Sequence, residues 1–223
     1  MKHVSLVIAA SSLLLLSGCI TPPPKPDYTK FFDHQPRSIL VVPPANKTTA
    51  VDAPAVFLTT VSAAFAERGY YVFPVFLVQD ILTDLGATDE GAIAAVPPEK
   101  FKEVFGADSI LYVTITDWTT SYVVLASNII VGAEYRLVDA ATGDVLWTHK
   151  ERVVHDSSGG GGGGGGLIGA LIVAAVQAAI TATTVQYRPI AIQANNFAAS
   201  QRSYGLPAGP YHPEFQKDHE HYK

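Results

Sequence analysis

Only one cysteine, Cys19, occurs among the 223 residues. An intramolecular disulfide is therefore impossible, and so is a cysteine-based zinc site, which draws on several thiolates. Charge is scarce as well: Asp, Glu, Lys and Arg make up 16% of the chain, and 20 acidic residues against 15 basic ones leave a net charge of −5. A weakly acidic chain lacks the electrostatic footprint that nucleic acid demands, so no nucleic-acid partner is expected. Gly-Lys-Ser/Thr is absent, which excludes a P-loop, and no G-x-S-x-G forms a serine nucleophile elbow. Between Asp156 and Glu214 there is no Asp or Glu at all.

What is present begins at the N-terminus. Met1-Lys2-His3 is followed by apolar residues from Val4 to Leu16 broken only by small serines, then by Ser17-Gly18-Cys19. A basic front, an apolar stretch and a small-residue cleavage site make a secretion signal, too short to span a bilayer comfortably. Leu16-Ser17-Gly18-Cys19 also resembles the bacterial lipobox. That resemblance implies cleavage after Gly18, a diacylglycerol on the Cys19 thiol and acylation of the new amine, so that Cys19 is a lipidation site and no nucleophile. Stable anchoring takes more than one acyl signal, and three chains on one residue satisfy that. Position 20 is Ile and not Asp, which by the sorting rule of such lipoproteins implies the outer membrane, with the domain facing the periplasm or the cell surface.

Residues 1–18 thus read as signal and residues 19–36 as anchor and spacer, the latter stiffened by Pro22-Pro23-Pro24-Lys25-Pro26. A single α/β domain is expected over 37–203. Ser38 to Val42 is a buried strand stopped by Pro43-Pro44. Pro54 to Arg68 has helical spacing and ends at Gly69; Tyr70 to Phe73 is a second strand; Val75 to Leu85 is a helix closed by Gly86; Pro97 to Phe105 is another, stopped at Gly106. From Ser109 to Val154 β-branched residues dominate, and Thr142-Gly143-Asp144 marks a turn, giving an antiparallel meander of three or four strands. The order argues for one sandwich of helices packed on a mixed sheet, with extra C-terminal helices near 187–202 and an extended tail from Tyr204.

Eight glycines, Gly159 to Gly166, satisfy G-x-G-x-x-G trivially. The ribose-binding acid about twenty residues on is missing, so the run reads as a flexible linker at 157–166 and no cofactor is expected. Leu167 to Val185 follows without a charge, and small residues recur every fourth position at Ala170, Ala174, Ala178 and Ala182. Such a stripe lets two backbones approach closely. Packing on the chain's own sheet, against another copy or partner, and into a bilayer all fit it; a contact across a chain boundary, hence self-association, is the expectation.

Candidate chemistry is sparse. His212, His219 and His221 form a His-rich tail that composition links to metal but that reads as a solvated terminus, so no metal site is assigned. His149 and His155 share one side of the last strand, and Asp139 and Asp144 bracket a turn where Asp belongs for conformational reasons. No catalytic residues emerge.

The lipobox, Val41-Val42-Pro43-Pro44-Ala45-Asn46, the Ala141-to-Trp147 hairpin and Leu206-Pro207-Ala208-Gly209-Pro210-Tyr211-His212-Pro213 together resemble one family: bacterial lipoproteins of unknown function typified by a neisserial surface antigen. The α/β order is similar, more distantly, to the periplasmic domain of the curli-secretion lipoprotein and the N-terminal domain of the Tol-system propeller protein. The resemblance implies a non-enzymatic outer-membrane lipoprotein serving an envelope assembly, secretion or transport complex, with a curli-secretion-like lipoprotein as a candidate partner. A small-molecule-binding protein and a hydrolase with an unrecognised site are the alternatives.

Overall fold

A computed structural model of the chain describes residues 26–123, 126–156 and 187–223. Cys19, the glycine run and the stripe Ala170, Ala174, Ala178 and Ala182 lie outside the described residues. A six-stranded mixed sheet of β1 (Ser38–Val41), β2 (Ala45–Asn46), β3 (Tyr71–Val72), β4 (Ser109–Val123), β5 (Ala126–Asp139) and β6 (Val145–Asp156) forms the centre, in the order β3-β1-β4-β5-β6 with β2 also paired to β4. Strand β1 (Ser38–Val41) is buried at every position, as a continuous apolar run requires when both sheet faces are covered. It lies parallel to β3 (Tyr71–Val72) on one side and to β4 (Ser109–Val123) on the other. Pro43-Pro44 cannot donate to the ladder. The chain therefore leaves β4 after Leu111 and rejoins it as β2 (Ala45–Asn46) opposite Thr114 and Ile115.

The expected meander is three long antiparallel strands: β4, β5 (Ala126–Asp139) and β6 (Val145–Asp156). A register shift between Ile115 and Asp117 sits opposite Gly132, where a Cβ would collide with the Asp117 carboxylate. Glycine is what lets the bulge close there. Asp139 holds the β5–β6 turn, its Oδ1 accepting the Ala141 and Thr142 backbone N–H groups at 2.8 Å each, and Gly143 takes the positive φ of 75°.

Side chains alternate between two cores. Ile39, Val41, Leu111, Val113, Tyr135, Leu137 and Trp147 face helix α2 (Ala53–Glu67) and the C-terminal helix α6 (Tyr187–Ser200). The α6 segment is one helix with Pro189 in its first turn, which needs no N–H there. Leu40, Val42 and Ile110 face the opposite way, under α3 (Val75–Asp84), α4 (Glu90–Ala95) and α5 (Pro98–Phe105) through Val78, Leu82, Ile93 and Phe101. Gly69, Gly86 and Gly106, the three expected helix stops, all adopt positive φ. Inside the larger core the Tyr135 hydroxyl donates to Asn195 Oδ1 (3.0 Å), whose amide donates to Thr60 Oγ1 (3.0 Å) and the Ala191 carbonyl (2.9 Å).

Both expected boundaries move. The domain does not start at Arg37: α1 (Thr29–His34) precedes it, with Tyr28 and Phe31 buried in the larger core. Nor does the tail stand off as an extended, solvated segment. Residues 204–223 fold back as turns and a short 3₁₀ helix (His219–Tyr222), burying Leu206, Ala208, Asp218 and Tyr222. The cause is a clasp around Arg68. Its Nε donates to the Leu206 carbonyl (2.7 Å), and one terminal nitrogen donates to Asp218 Oδ2 (2.7 Å) and the Tyr222 hydroxyl (2.8 Å). The Tyr28 hydroxyl donates to the Gly205 carbonyl (2.6 Å) and the Tyr70 hydroxyl to that of Pro207 (2.7 Å). A Cβ on Gly209 would collide with the Gly69 carbonyl, so the glycine of the tail motif permits backbone-to-backbone contact. Among the described residues no helix is long and apolar enough to cross a membrane.

Candidate functional site

Helices α3–α5 cover only the β1 side of their sheet face. Beyond them β4, β5 and β6 present a bare floor, and the step between helix and floor is a groove of about 970 Å³. Its wall is α4, through Glu90, Ile93 and Ala94, with Pro43 and Ala45. Ladder register arranges the floor in rows: Tyr112, Arg136 and Thr148 lie side by side, and next to them Thr114, Glu134 and Lys150. The Arg136 guanidinium stands 4.6 Å from the centre of the Tyr112 ring, a cation–π contact. Lys150 Nζ lies 2.7 Å from Glu134 Oε1, and in the row beyond, Arg152 Nε lies 3.4 Å from Asp117 Oδ1. The Lys150 hydrogen bond holds the Glu134 carboxyl below its usual range. Burial pushes the Tyr112 hydroxyl up, and Arg136 offsets part of that. With the Lys150 side chain 80% exposed, the pair orders the surface more than it stabilises the fold.

Where the groove rounds the β6 edge it meets His149, Glu151, Gln201 and Tyr204. His149 Nε2 lies 3.1 Å from Glu151 Oε2, and the imidazole stacks on Trp147 with centroids 5.6 Å apart and planes 5° from parallel. His149 and His155 do share a strand face, six positions apart, and it is the face turned to α6. His149 has a carboxylate to orient it, while the neighbouring Tyr135 hydroxyl is committed to Asn195. The groove brings together two cations, Arg136 and Lys150, three carboxylates, Glu90, Glu134 and Glu151, and the hydroxyls of Tyr112, Thr114 and Thr148, beside the nearly buried imidazole stacked on Trp147.

The other residues singled out from the sequence have structural partners. Asp139 builds the β5–β6 turn, and Asp144 bonds Lys30 and Thr142, which hold its carboxyl below the usual range. His219 packs 4.3 Å from Phe32, and His212 Nδ1 accepts the Glu214 backbone N–H (3.1 Å). Among the described residues no group of three potential metal ligands comes together. Sequence reasoning missed the floor. Arg136, Thr148 and Lys150 occupy the alternate positions of strands read through their apolar residues, and α4 has one buried anchor, Ile93, too few for a period.

Residues 26–211 match the family described as "Putative lipoprotein GNA1162-like". "Putative lipoprotein NMB1124/NMB1162" of Neisseria meningitidis serogroup B is 37% identical over 213 residues, 95% of this chain and 98% of that protein. The crystal structure of lipoprotein GNA1162 from Neisseria meningitidis, also 37% identical, superposes with a TM-score of 0.53 over 66% of this chain and all of that one. A PelC dodecamer from Paraburkholderia phytofirmans is similar at 15% identity and a TM-score of 0.42, over 75% of this chain and 94% of that one. With the family matched across both cores and the N-terminal half of the tail, the chain belongs to the GNA1162-like lipoprotein family.

Proposed function

We propose that this protein is a non-enzymatic lipoprotein of the outer membrane, anchored through acyl chains on Cys19, that serves an envelope assembly, secretion or transport complex by docking other proteins. One observation carries the reading: part of one sheet face is left bare beside a helical wall, forming a broad groove of mixed apolar and charged lining in which Arg136 and Lys150 stand among Glu90, Glu134 and Glu151. Six residues, Ile20 to Lys25, separate Cys19 from the first described residue. At about 3.1 Å per residue, a proline-rich leash of that length keeps the domain within roughly 20 Å of its membrane anchor. Self-association belongs to the same proposal, through the stripe Ala170, Ala174, Ala178 and Ala182 or through the groove, and a curli-secretion-like lipoprotein is a candidate foreign partner. Affinity purification from detergent-solubilised envelopes tests it. Co-purifying proteins lost on Arg136→Glu with Lys150→Glu, in a protein that still melts like wild type, support docking through the groove. Partners unchanged by those substitutions refute it. Release of Cys19→Ala into the soluble fraction, or its accumulation as uncut precursor, tests the anchor; wild-type mature protein without acyl mass at Cys19 would falsify it.

A further inference from the structure

Resting on that docking role, we infer that the groove receives the helical layer α3–α5 of a second copy of this chain, reciprocally about a two-fold axis. Shape comes first. Layer and floor lie side by side on one face of one sheet, so each molecule is a step. Two steps brought face to face interlock, each layer landing on the other's floor, and both bare surfaces are covered by one isologous contact.

Charge is complementary in the same sense. Residues 75–105 carry six carboxylates against two lysines, and none of these side chains is buried. The floor carries Arg136, Lys150 and Arg152 against Glu134 and Asp117. Apolar surface follows the same division. On the layer Phe76, Leu77 and Leu85 are 66%, 54% and 61% exposed; Leu77 and Ile81 fall at i and i+4 on one face of α3, and Leu85 caps its C-terminal end. Exposed apolar residues gathered in this way mark a contact surface, and the floor offers Val154, 48% exposed, at its far row. Edge-to-edge pairing of two β6 strands is the competing arrangement. On that edge the Arg152 backbone N–H already donates to Glu151 Oε1 (3.2 Å), the blunting expected of an edge kept from pairing. Three strands about 4.8 Å apart and seven residues of ~3.3 Å rise give a floor of roughly 330 Å². Reciprocal docking uses floor and layer of each copy and so approaches the ~800 Å² per partner of a stable interface.

A charge-swap pair tests this on the full mature chain in detergent, by sedimentation over a concentration series. Floor reversal is Arg136→Glu with Lys150→Glu; layer reversal is Asp80→Lys with Asp84→Lys. Wild type should dimerise, less tightly as salt rises. Either variant alone sets like charge on like charge at both contacts and should dissociate at least about 100-fold more readily. Mixed one to one, the reversed floor meets the reversed layer while the other two surfaces are native, so a heterodimer should form with an affinity within about tenfold of wild type. All four positions are exposed, and circular dichroism confirms folding; the milder Arg136→Gln with Lys150→Gln should weaken the dimer and flatten its salt dependence. A monomeric wild type at every concentration, variants that dimerise like wild type, or a mixture no better than its parts would each overturn the inference. If wild type is monomeric and floor reversal still strips envelope partners, docking stands with a foreign occupant; if it strips none, both readings fall.

Discussion

Replacing Arg68 by Met tests how the tail is held. Methionine keeps the aliphatic stem that packs at the end of α2 and removes the guanidinium. Arg68 and Asp218 are 15% and 9% exposed in their side chains and 2.7 Å apart, so the pair is screened little by solvent. Without Arg68, Asp218 Oδ2 keeps the Ala208 N–H (2.7 Å) and loses its ion-pair partner. The Leu206 carbonyl keeps the Tyr222 hydroxyl (2.9 Å). Removing one partner of a buried ion pair costs about 3–5 kcal/mol. In a domain of this size that is a melting-temperature loss on the order of 10 °C. Asp218→Asn removes the stranded charge and retains an acceptor, so Arg68→Met with Asp218→Asn should recover more than half of the loss. Tyr222→Phe, which deletes one hydroxyl, should cost only about 1 kcal/mol. Urea denaturation of the purified mature protein measures all three, and limited proteolysis at Tyr204–Tyr211 reports whether the tail is released first. A loss below about 1 kcal/mol for Arg68→Met, or no recovery in the double variant, would refute the clasp as a buried charge network.

Asn195→Ala strips the Tyr135 hydroxyl of its acceptor in the core and should cost about 1–3 kcal/mol, read by the same denaturation assay; a neutral outcome would mean that the site repacks. Burial pushes the hydroxyls of Tyr28, Tyr70 and Tyr135 well above 10. Their folded-state pKa values lie above the unfolded value of ~10, so their stabilisation is complete below pH ~10 and is lost as pH rises further. Melting temperatures should therefore hold to pH ~10 and then fall, less steeply in Tyr135→Phe; an unchanged slope in that variant would contradict the assignment. Ala174→Leu should overpack the small-residue stripe by about 1–3 kcal/mol, appearing in sedimentation as a concentration-dependent loss of oligomer. A melting-temperature drop independent of concentration would place that stripe within one chain.

Local chemistry made much of the fold readable. The run Ser38 to Val42 has to be a strand covered on both faces, and Gly69, Gly86 and Gly106 stop helices because only glycine takes their positive φ without strain. The β5–β6 turn was legible for the same kind of reason, since Asp139 bonds its own backbone two and three residues on. The clasp was not, because Arg68 and Asp218 are 150 positions apart and neither carries a local signal. Helices α1 and α4, six residues each, are too short to show a period. The groove floor was hidden by the alternation that revealed its strands: polar residues at every second position read as ordinary solvated surface, and only the extent of α3–α5 shows which of them stay bare.

Site-directed photo-crosslinking in intact envelopes measures the groove's role most directly. A photoreactive residue at Thr148, exposed on the groove floor, is compared with one at Thr59, exposed on α2 at the opposite face of the sheet. Discrete crosslinked species at Thr148, abolished by Arg136→Glu with Lys150→Glu and absent at Thr59, are the outcome the account predicts. Equal crosslinking at the two positions, or none at Thr148 in fully acylated protein, would contradict it.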